Sequence, residues 1–305
     1  MHACSIVNEK DKKVKLGVVL PNLDHPWLIA CEEYIVKAAK ILGDKCDLLI
    51  KYDSDTLNDQ IHDITALLMN KVEGMVIIPV NSLLPPTITE QIRSAEIPVA
   101  SVSRQFSLNE FTIRIDGDID YIAESQIEFL VEKLNYSGNI AFISGSPDTS
   151  DSMSMEMAFV RELKKHNEIN LLSIIPGHFS AEKSKLVMKK LLREFKCLDA
   201  VCCFNDSMAI GANNALKEAE LDKKILITGI GGNSEMLRLI KSDRSSCIAT
   251  SSYPPYMAGD AVYLVYLAVQ NRGIPTFFDT APPAMYKVKS ILVTEDNVDK
   301  YSFVY

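Results

Sequence analysis

No run of apolar residues in this sequence is long enough to cross a bilayer: the longest, such as Val76 to Val80 and Ile225 to Ile230, break within about eight residues, where a spanning helix needs about 20. Positive charge is also short. With 32 Lys+Arg against 40 Asp+Glu the net charge is -8, which opposes binding to a phosphate backbone and removes nucleic acid from the direct partners. The seven cysteines form no C-x-x-C pair and no Cys/His cluster at zinc spacing, so no metal site is expected. Their odd number argues against a complete disulfide set, and suggests either a reducing compartment or an anaerobic source with free thiols outside the membrane. There is no G-x-S-x-G elbow, no H-E-x-x-H and no P-loop, and the five histidines are scattered. Nothing demands catalysis, and no cofactor is implied.

What is present is a chain of 305 residues, 47% hydrophobic and 24% charged, a composition that builds a sizeable core and excludes disorder. The length suggests about two domains, yet the 13 Gly and 13 Pro are spread evenly and mark no single linker. The first 13 residues are polar and lack the apolar stretch of a signal peptide, so an export signal is expected to have been removed or never to have existed. Ala3-Cys4-Ser5 resembles the end of a bacterial lipoprotein box, which would make residues 1–13 a tether behind a lipidated Cys4; the alternative is an incidental cysteine in a frayed end.

One rhythm repeats along the chain. Apolar runs at Lys15 to Leu20, Asp47 to Ile50, Gly74 to Pro79, Asn139 to Ile143, Leu171 to Ile175, Asp199 to Cys202 and Ile225 to Thr228 are each followed by a helical pattern, and a further strand is read at Ile97 to Val102. In the second of these, Leu57, Ile61, Ile64 and Leu68 share one helical face. Short, nearly continuous apolar runs between helices indicate parallel strands covered on both faces, so the class is α/β, doubly wound. In such sheets ligands bind beyond the carboxyl ends of the strands. Those ends are Pro21 to Trp27, Pro79 to Ser82, Ser103 to Gln105, Ser144 to Met155, Pro176 to Phe179, Phe204 to Asp206, Gly229 to Asn233 and Ser251 to Tyr256, three before Gly117 and five after it. That division predicts two similar lobes facing each other across a cleft.

Two segments, one of these ends and the stretch around Gly117, imitate known motifs and depart from them. Gly229-Ile230-Gly231-Gly232-Asn233-Ser234 carries Ser234 where a dinucleotide fingerprint needs its third glycine, and reads as a tight strand-to-helix turn. Asp116-Gly117-Asp118-Ile119-Asp120 begins like a calcium loop but has Tyr121 at the required glycine and Ile127 at the bidentate acid, so a lobe crossover with Asp118 as a helix cap is expected instead.

Gly17-Val18-Val19 with Asp24-His25-Pro26-Trp27, Val72 to Pro79, Ile97-Pro98-Val99 with Ser103-Arg104, Phe204 to Gly211, and Ile291 to Val298 occur in an order that resembles the type I periplasmic sugar-binding proteins of the ribose-binding group. These share their fold with the effector domains of LacI-type repressors. The resemblance runs from about Lys15 to Tyr301 and implies two discontinuous lobes, 14–116 with 254–285 and 117–253 with 286–305, hinged by three crossovers and closing on a monosaccharide. It also implies a receptor outside the cytoplasm that hands its ligand to an ABC importer or reports it to a membrane histidine kinase. The alternative is a cytoplasmic regulatory effector domain lacking its DNA-binding part.

Carried over by position, the resemblance gives Trp27 and Phe179 as rings that stack on the sugar, with ordinary packing as the alternative for each. It gives Arg104 as a clamp for two hydroxyls or a carboxylate, or a structural ion pair. Asn205 is a ligand-binding amide, a helix N-cap, or both, and Asp206 is read as a helix cap. His25 stands beside Trp27 at the same strand end. Four positions depart from the family: Ser103 and Gly231 replace aspartates, Ser252 replaces a glutamine and Met153 replaces an arginine. Carboxylates accept strongly from sugar hydroxyls, and an unpartnered buried hydroxyl costs about 1–3 kcal/mol. The expected ligand is therefore a neutral mono- or deoxy-sugar, an acidic or non-standard small molecule, or none, with the site adapted to protein signalling.

Overall fold

The structure is a computed structural model that describes residues 13–54, 56–81, 83–104, 113–270 and 284–301. Residues 1–12 of the expected tether, including Cys4, and the strand-end residues Ser82 and Gln105 lie outside the described residues. The chain divides into two compact units, Met1–Asp116 with Pro255–Tyr286, and Gly117–Pro254 with Lys287–Tyr305, so it passes from one unit to the other at three places.

In the first unit β1 (Val14–Pro21), α1 (Pro26–Leu42), β2 (Cys46–Ser54), α2 (Leu57–Met69), β3 (Gly74–Ile77), α3 (Pro86–Ser94), β4 (Val99–Val102) and β5 (Ile113–Gly117) follow one another. The second unit continues with α4 (Ile119–Lys133), β6 (Gly138–Ser144), α5 (Ser150–Leu163), β7 (Ile169–Pro176), α6 (Ala181–Glu194), β8 (Ala200–Cys203), α7 (Asp206–Glu218), β9 (Leu226–Gly231), α8 (Ser234–Ile240) and β10 (Cys247–Ser252). The chain then adds α9 (Tyr256–Val269) and β11 (Ala284–Val288) to the first sheet's helices and strands, and ends the second sheet with β12 (Leu292–Thr294). The strand orders are β11-β5-β4-β3-β1-β2 and β12-β10-β9-β8-β6-β7. The central strands pair in parallel and β12 pairs antiparallel to β10.

The apolar runs earn their place by alternation. Ile140, Phe142, Ala200 and Cys202 face the core under α4 and α5, whereas Ala141, Ile143, Val201 and Cys203 face the core under α6, α7 and α8. A strand buried on both sides needs apolar residues at every position, which is the continuous run seen in the sequence. Each fully buried aliphatic side chain removed from water contributes about 1.5–3 kcal/mol, so the two faces together dominate the stability of the second unit. Phe142 and Phe159 stack at 4.8 Å between ring centroids across one of these faces.

The strands missing from the apolar rhythm have a physical reason to be hidden. β10 reads Cys-Ile-Ala-Thr-Ser-Ser, and its Thr250, Ser251 and Ser252 are buried through hydrogen bonds rather than through apolar character. Asp118 caps α4 by accepting from the Tyr121 amide, as its position after the glycine predicts. The six described cysteines form no disulfide; five are buried and Cys197 is exposed.

Candidate functional site

In the first unit the strand ends are built around a helix cap. Pro26 starts α1 with its fixed φ, and His25, in extended backbone, caps the helix by accepting from the Trp27 amide at 3.2 Å through Nδ1. That acceptance needs Nδ1 unprotonated. Burial pushes the His25 pKa down to about 4, the positive charge of Arg104 pushes in the same direction, and Asp24 opposes both. His25 is therefore neutral at pH 7, and Trp27 follows it, half-buried, on the first turn.

Arg104 follows β4. Ser103 before it is buried and adopts a left-handed backbone with φ 63°, and the Arg104 amide donates back to Val102 O at 2.8 Å. Non-glycine residues in this region are uncommon and concentrate where a side chain must be aimed. Arg104 Nη1 donates to Pro79 O at 3.3 Å, which fixes the guanidinium to the end of the neighbouring strand. That end is itself pinned by a residue sequence reasoning did not single out: Gln60, fully buried on α2, donates to Ile78 O at 3.0 Å and accepts from the Val80 amide at 2.9 Å. Its signal was available, because Gln60 interrupts the helix face that carries Ile64 and Leu67.

In the second unit β7 is followed by Gly177 and two consecutive left-handed residues, His178 (φ 53°) and Phe179 (φ 59°). This reversal lays the Phe179 ring edge-on to Phe204, with centroids 5.2 Å apart. It also lays the ring directly on Gly145, where any Cβ would meet Phe179 Cε1 at 2.4 Å. Gly145 is thus what lets the aromatic sit at this strand end. Asn205 caps α7, its Oδ1 accepting from the Met208 amide at 2.8 Å, so the cap alternative is realised and one side of the amide is committed to the helix. Met153, the fourth residue of α5 and the replacement for the expected arginine, is 54% exposed. Gly231 ends β9 with φ 144°.

One expectation is corrected by this geometry and another is sharpened. Asp206 is the first residue of α7 and does not cap it: its Oδ2 accepts from the Gly232 and Asn233 amides at 2.6 and 2.8 Å, and its Oδ1 accepts from Thr250 Oγ1 at 2.6 Å. The carboxylate reaches these partners across Gly229, where a Cβ would lie 2.5 Å from Oδ1. Burial raises its pKa to about 6 against the lowering effect of the three hydrogen bonds. Ser252 is buried and held in the backbone exchange with the returning chain, its amide and hydroxyl meeting Ile291 and its carbonyl accepting from Ser290 Oγ at 2.6 Å.

Gln126 completes the second unit's frame. Fully buried on α4, it donates to Gly229 O at 2.6 Å and Ser251 Oγ at 3.0 Å and accepts from Thr228 Oγ1 at 2.8 Å. Like Gln60, it is a polar residue on an otherwise apolar helix face, here beside Ile122, Ala123 and Ile127. Among the described residues no group of three or more His, Cys, Asp or Glu is placed to hold a metal ion, and no helix is long and apolar enough to cross a membrane.

With this geometry in place, comparison with known proteins gives a consistent result. Residues 16–273 match a family described as the periplasmic binding protein domain. The ribose import binding protein of Bacillus subtilis is 25% identical over 252 residues, covering 81% of this chain and 79% of that protein. A galactofuranose binding protein aligns with a TM-score of 0.85 at 21% identity, covering 94% of this chain and 96% of the other. The fructose binding periplasmic domain of a hybrid two-component system aligns with a TM-score of 0.83 at 22% identity, covering 94% of this chain and 92% of the other.

Proposed function

This chain belongs to the periplasmic binding protein family, and from that premise we propose that it captures a small neutral sugar outside the cytoplasmic membrane and delivers it to an ABC importer. It is a solute-binding protein and not an enzyme. The observation that carries the sugar reading is the match, over about four-fifths of both chains, to a protein named for ribose import. The relatives favour a receptor over the repressor effector domain that shares its fold.

The side chains at the strand ends of both units hold the ligand in this proposal. Trp27 and Phe179 offer ring faces to the apolar side of the sugar, and Arg104 and Asn205 offer donors and acceptors to its hydroxyls. His25, neutral at pH 7, orients Trp27 through its cap. Ser103, Met153, Gly231 and Ser252 line the remaining positions and supply no charge, which suits a ligand with fewer charged contacts than ribose receives in the family. Delivery to a membrane histidine kinase is the second reading, favoured by the likeness to the fructose binding domain of a hybrid two-component system. A lipid anchor at Cys4 belongs to either reading.

The test is thermal stabilisation against pentoses, hexoses, deoxy-sugars and sugar acids. A ligand that binds only the folded state at about 100 times its Kd adds about 2.7 kcal/mol. A shift with a neutral sugar that vanishes in Arg104→Ala and in Trp27→Ala supports the assignment. A shift that survives both substitutions removes it.

A further inference from the structure

Each sheet has two terminal strands, and a terminal strand offers unpaired backbone N–H and C=O groups to any strand laid alongside it. Three of the four ends are guarded. β12 is only three residues long, β11 carries the exposed Lys287 within its five, and β2 carries Asp47 and the exposed Lys51. The fourth, β7, reads Ile-Asn-Leu-Leu-Ser-Ile-Ile-Pro and holds no charge. Its Leu171, Leu172, Ile174 and Ile175 are each only half-buried.

One irregularity fixes how this edge can be paired. Against β6, Ile140 stands opposite Leu171 and Ala141 opposite Ser173, so Leu172 is an extra residue in β7. As a result Ile169, Leu171 and Ile174 pack on the core under α4 and α5, whereas Leu172 and Ile175 pack on the core under α6. Antiparallel strands set residues of one face opposite each other, and a register slip of one residue breaks that match. An uninterrupted strand cannot meet its own copy face to face about a point between two residues. The extra residue restores the match: about a two-fold axis between Leu172 and Ser173, Leu171 meets Ile174 of a second copy on one face, and Asn170 meets Ile175 on the other.

The same axis lays α6 antiparallel to its own copy. α6 turns Ser184, Lys185 and Lys189 toward α7, where they bind Met208 O and the Glu218 carboxylate. Lys183, Val187, Lys190 and Glu194 follow at helical spacing on the opposite flank. Antiparallel alignment of two such flanks brings Lys183 of each copy to Glu194 of the other, twice over. Glu194 is free to take this partner, because its ion pair within the helix, with Lys190, is a long 3.9 Å.

We propose that β7 is the interface for a second copy of this chain, the two strands pairing antiparallel about Leu172 and Ser173 so that the sheets of two second units become continuous. Pairing gives the free backbone groups partners and covers the half-buried aliphatic residues on both faces, and the α6 flanks meet with opposite charges. The proposal stands independently of any ligand.

Sedimentation equilibrium of the full chain, from micromolar to millimolar concentration, reads the association. A concentration-dependent dimer is expected, and Ile174→Lys should weaken it by at least about tenfold, because a charge then lies within the strand pair. Lys183→Glu sets glutamates against each other across the α6 flanks and should also weaken it. Lys183→Glu combined with Glu194→Lys in the same chain restores opposite signs and should return the association to that of the wild type, a recovery that a folding defect cannot produce. A monomer at every concentration overturns the proposal, as does a dimer indifferent to Ile174→Lys or one that the reciprocal charge swap fails to restore.

Discussion

The two units use one strand order and hold their strand ends by different chemistry. In the first, the end of β3 hangs on two bonds from the neutral amide of Gln60, and the nearby charge is the Arg104 guanidinium fixed to Pro79 O. In the second, Gln126 ties three groups across β9 and β10, and the charge is the Asp206 carboxylate, sealed beneath a turn. A duplicated architecture does not require duplicated electrostatics: one unit presents a cation at its strand ends, and the other hides an anion under them.

The largest effect should come from breaking the denser frame. Gln126→Ala leaves Gly229 O, Ser251 Oγ and Thr228 Oγ1 without their partner, and about 1 kcal/mol per lost bond predicts a loss near 3 kcal/mol. Gln60→Ala loses two bonds and should cost about 2 kcal/mol. Urea unfolding of both variants measures the difference; equal losses would mean that the two frames are equivalent after all.

Acid should then pull the units in opposite directions. The His25 pKa is lowered on folding, to about 4 from 6.5, so its contribution is full above pH 6.5 and is lost as pH falls through about 4. Asp206 is the reverse case: raised from 3.8 to about 6, it holds its proton more tightly when folded, so its contribution is full below about 3.8 and is lost as pH climbs through about 6. Between pH 4 and 6 the first unit is expected to gain stability as pH rises and the second to lose it. Trp27, the single tryptophan of the sequence, reports the first unit by fluorescence. Hydrogen exchange at the Gly232 amide reports the second, and parallel slopes would refute the contrast.

The smallest effect concerns the thiols. Cys31, Cys202, Cys203 and Cys247 are buried with raised pKa, so a thiol reagent should modify Cys197 in the native protein and reach these four only on unfolding. Cys197→Ser, on the surface, should change stability by less than about 0.5 kcal/mol. Rapid native labelling of the second unit's Cys202 or Cys203 would show that its core opens more readily than its hydrogen bonds imply.

The parallel core was legible because Val76 to Ile78 or Val201 to Cys203 must be apolar on both faces, and nothing but a doubly covered strand asks for that. The hydroxyl-rich β10 escaped the same reading because its burial is purchased by bonds to residues far along the chain, such as Gln126 to Ser251. The strand-end positions followed from the rhythm alone, whereas Asp206 was misread as a cap for a clear reason. An acid beside an Asn at a helix start satisfies the local rule, while its actual partners lie 26, 27 and 44 residues away in sequence. Local spacing sees the helix it begins and not the turn it fills.

The three passages of the chain between units also bear on how the molecule is made. α9 packs on α1, β1, β3 and β4, and Val265 and Val269 reach Gly74, so the first unit cannot cover its sheet until residues beyond the whole body of the second have been synthesised. The second unit in turn waits for β12 to complete its edge. Contacts so distant in sequence slow the search for the native state and leave early strands exposed during elongation. The Gly117–Pro254 segment holds most of its own core within one stretch of chain, whereas residues 13–104 depend on α9 to cover their sheet.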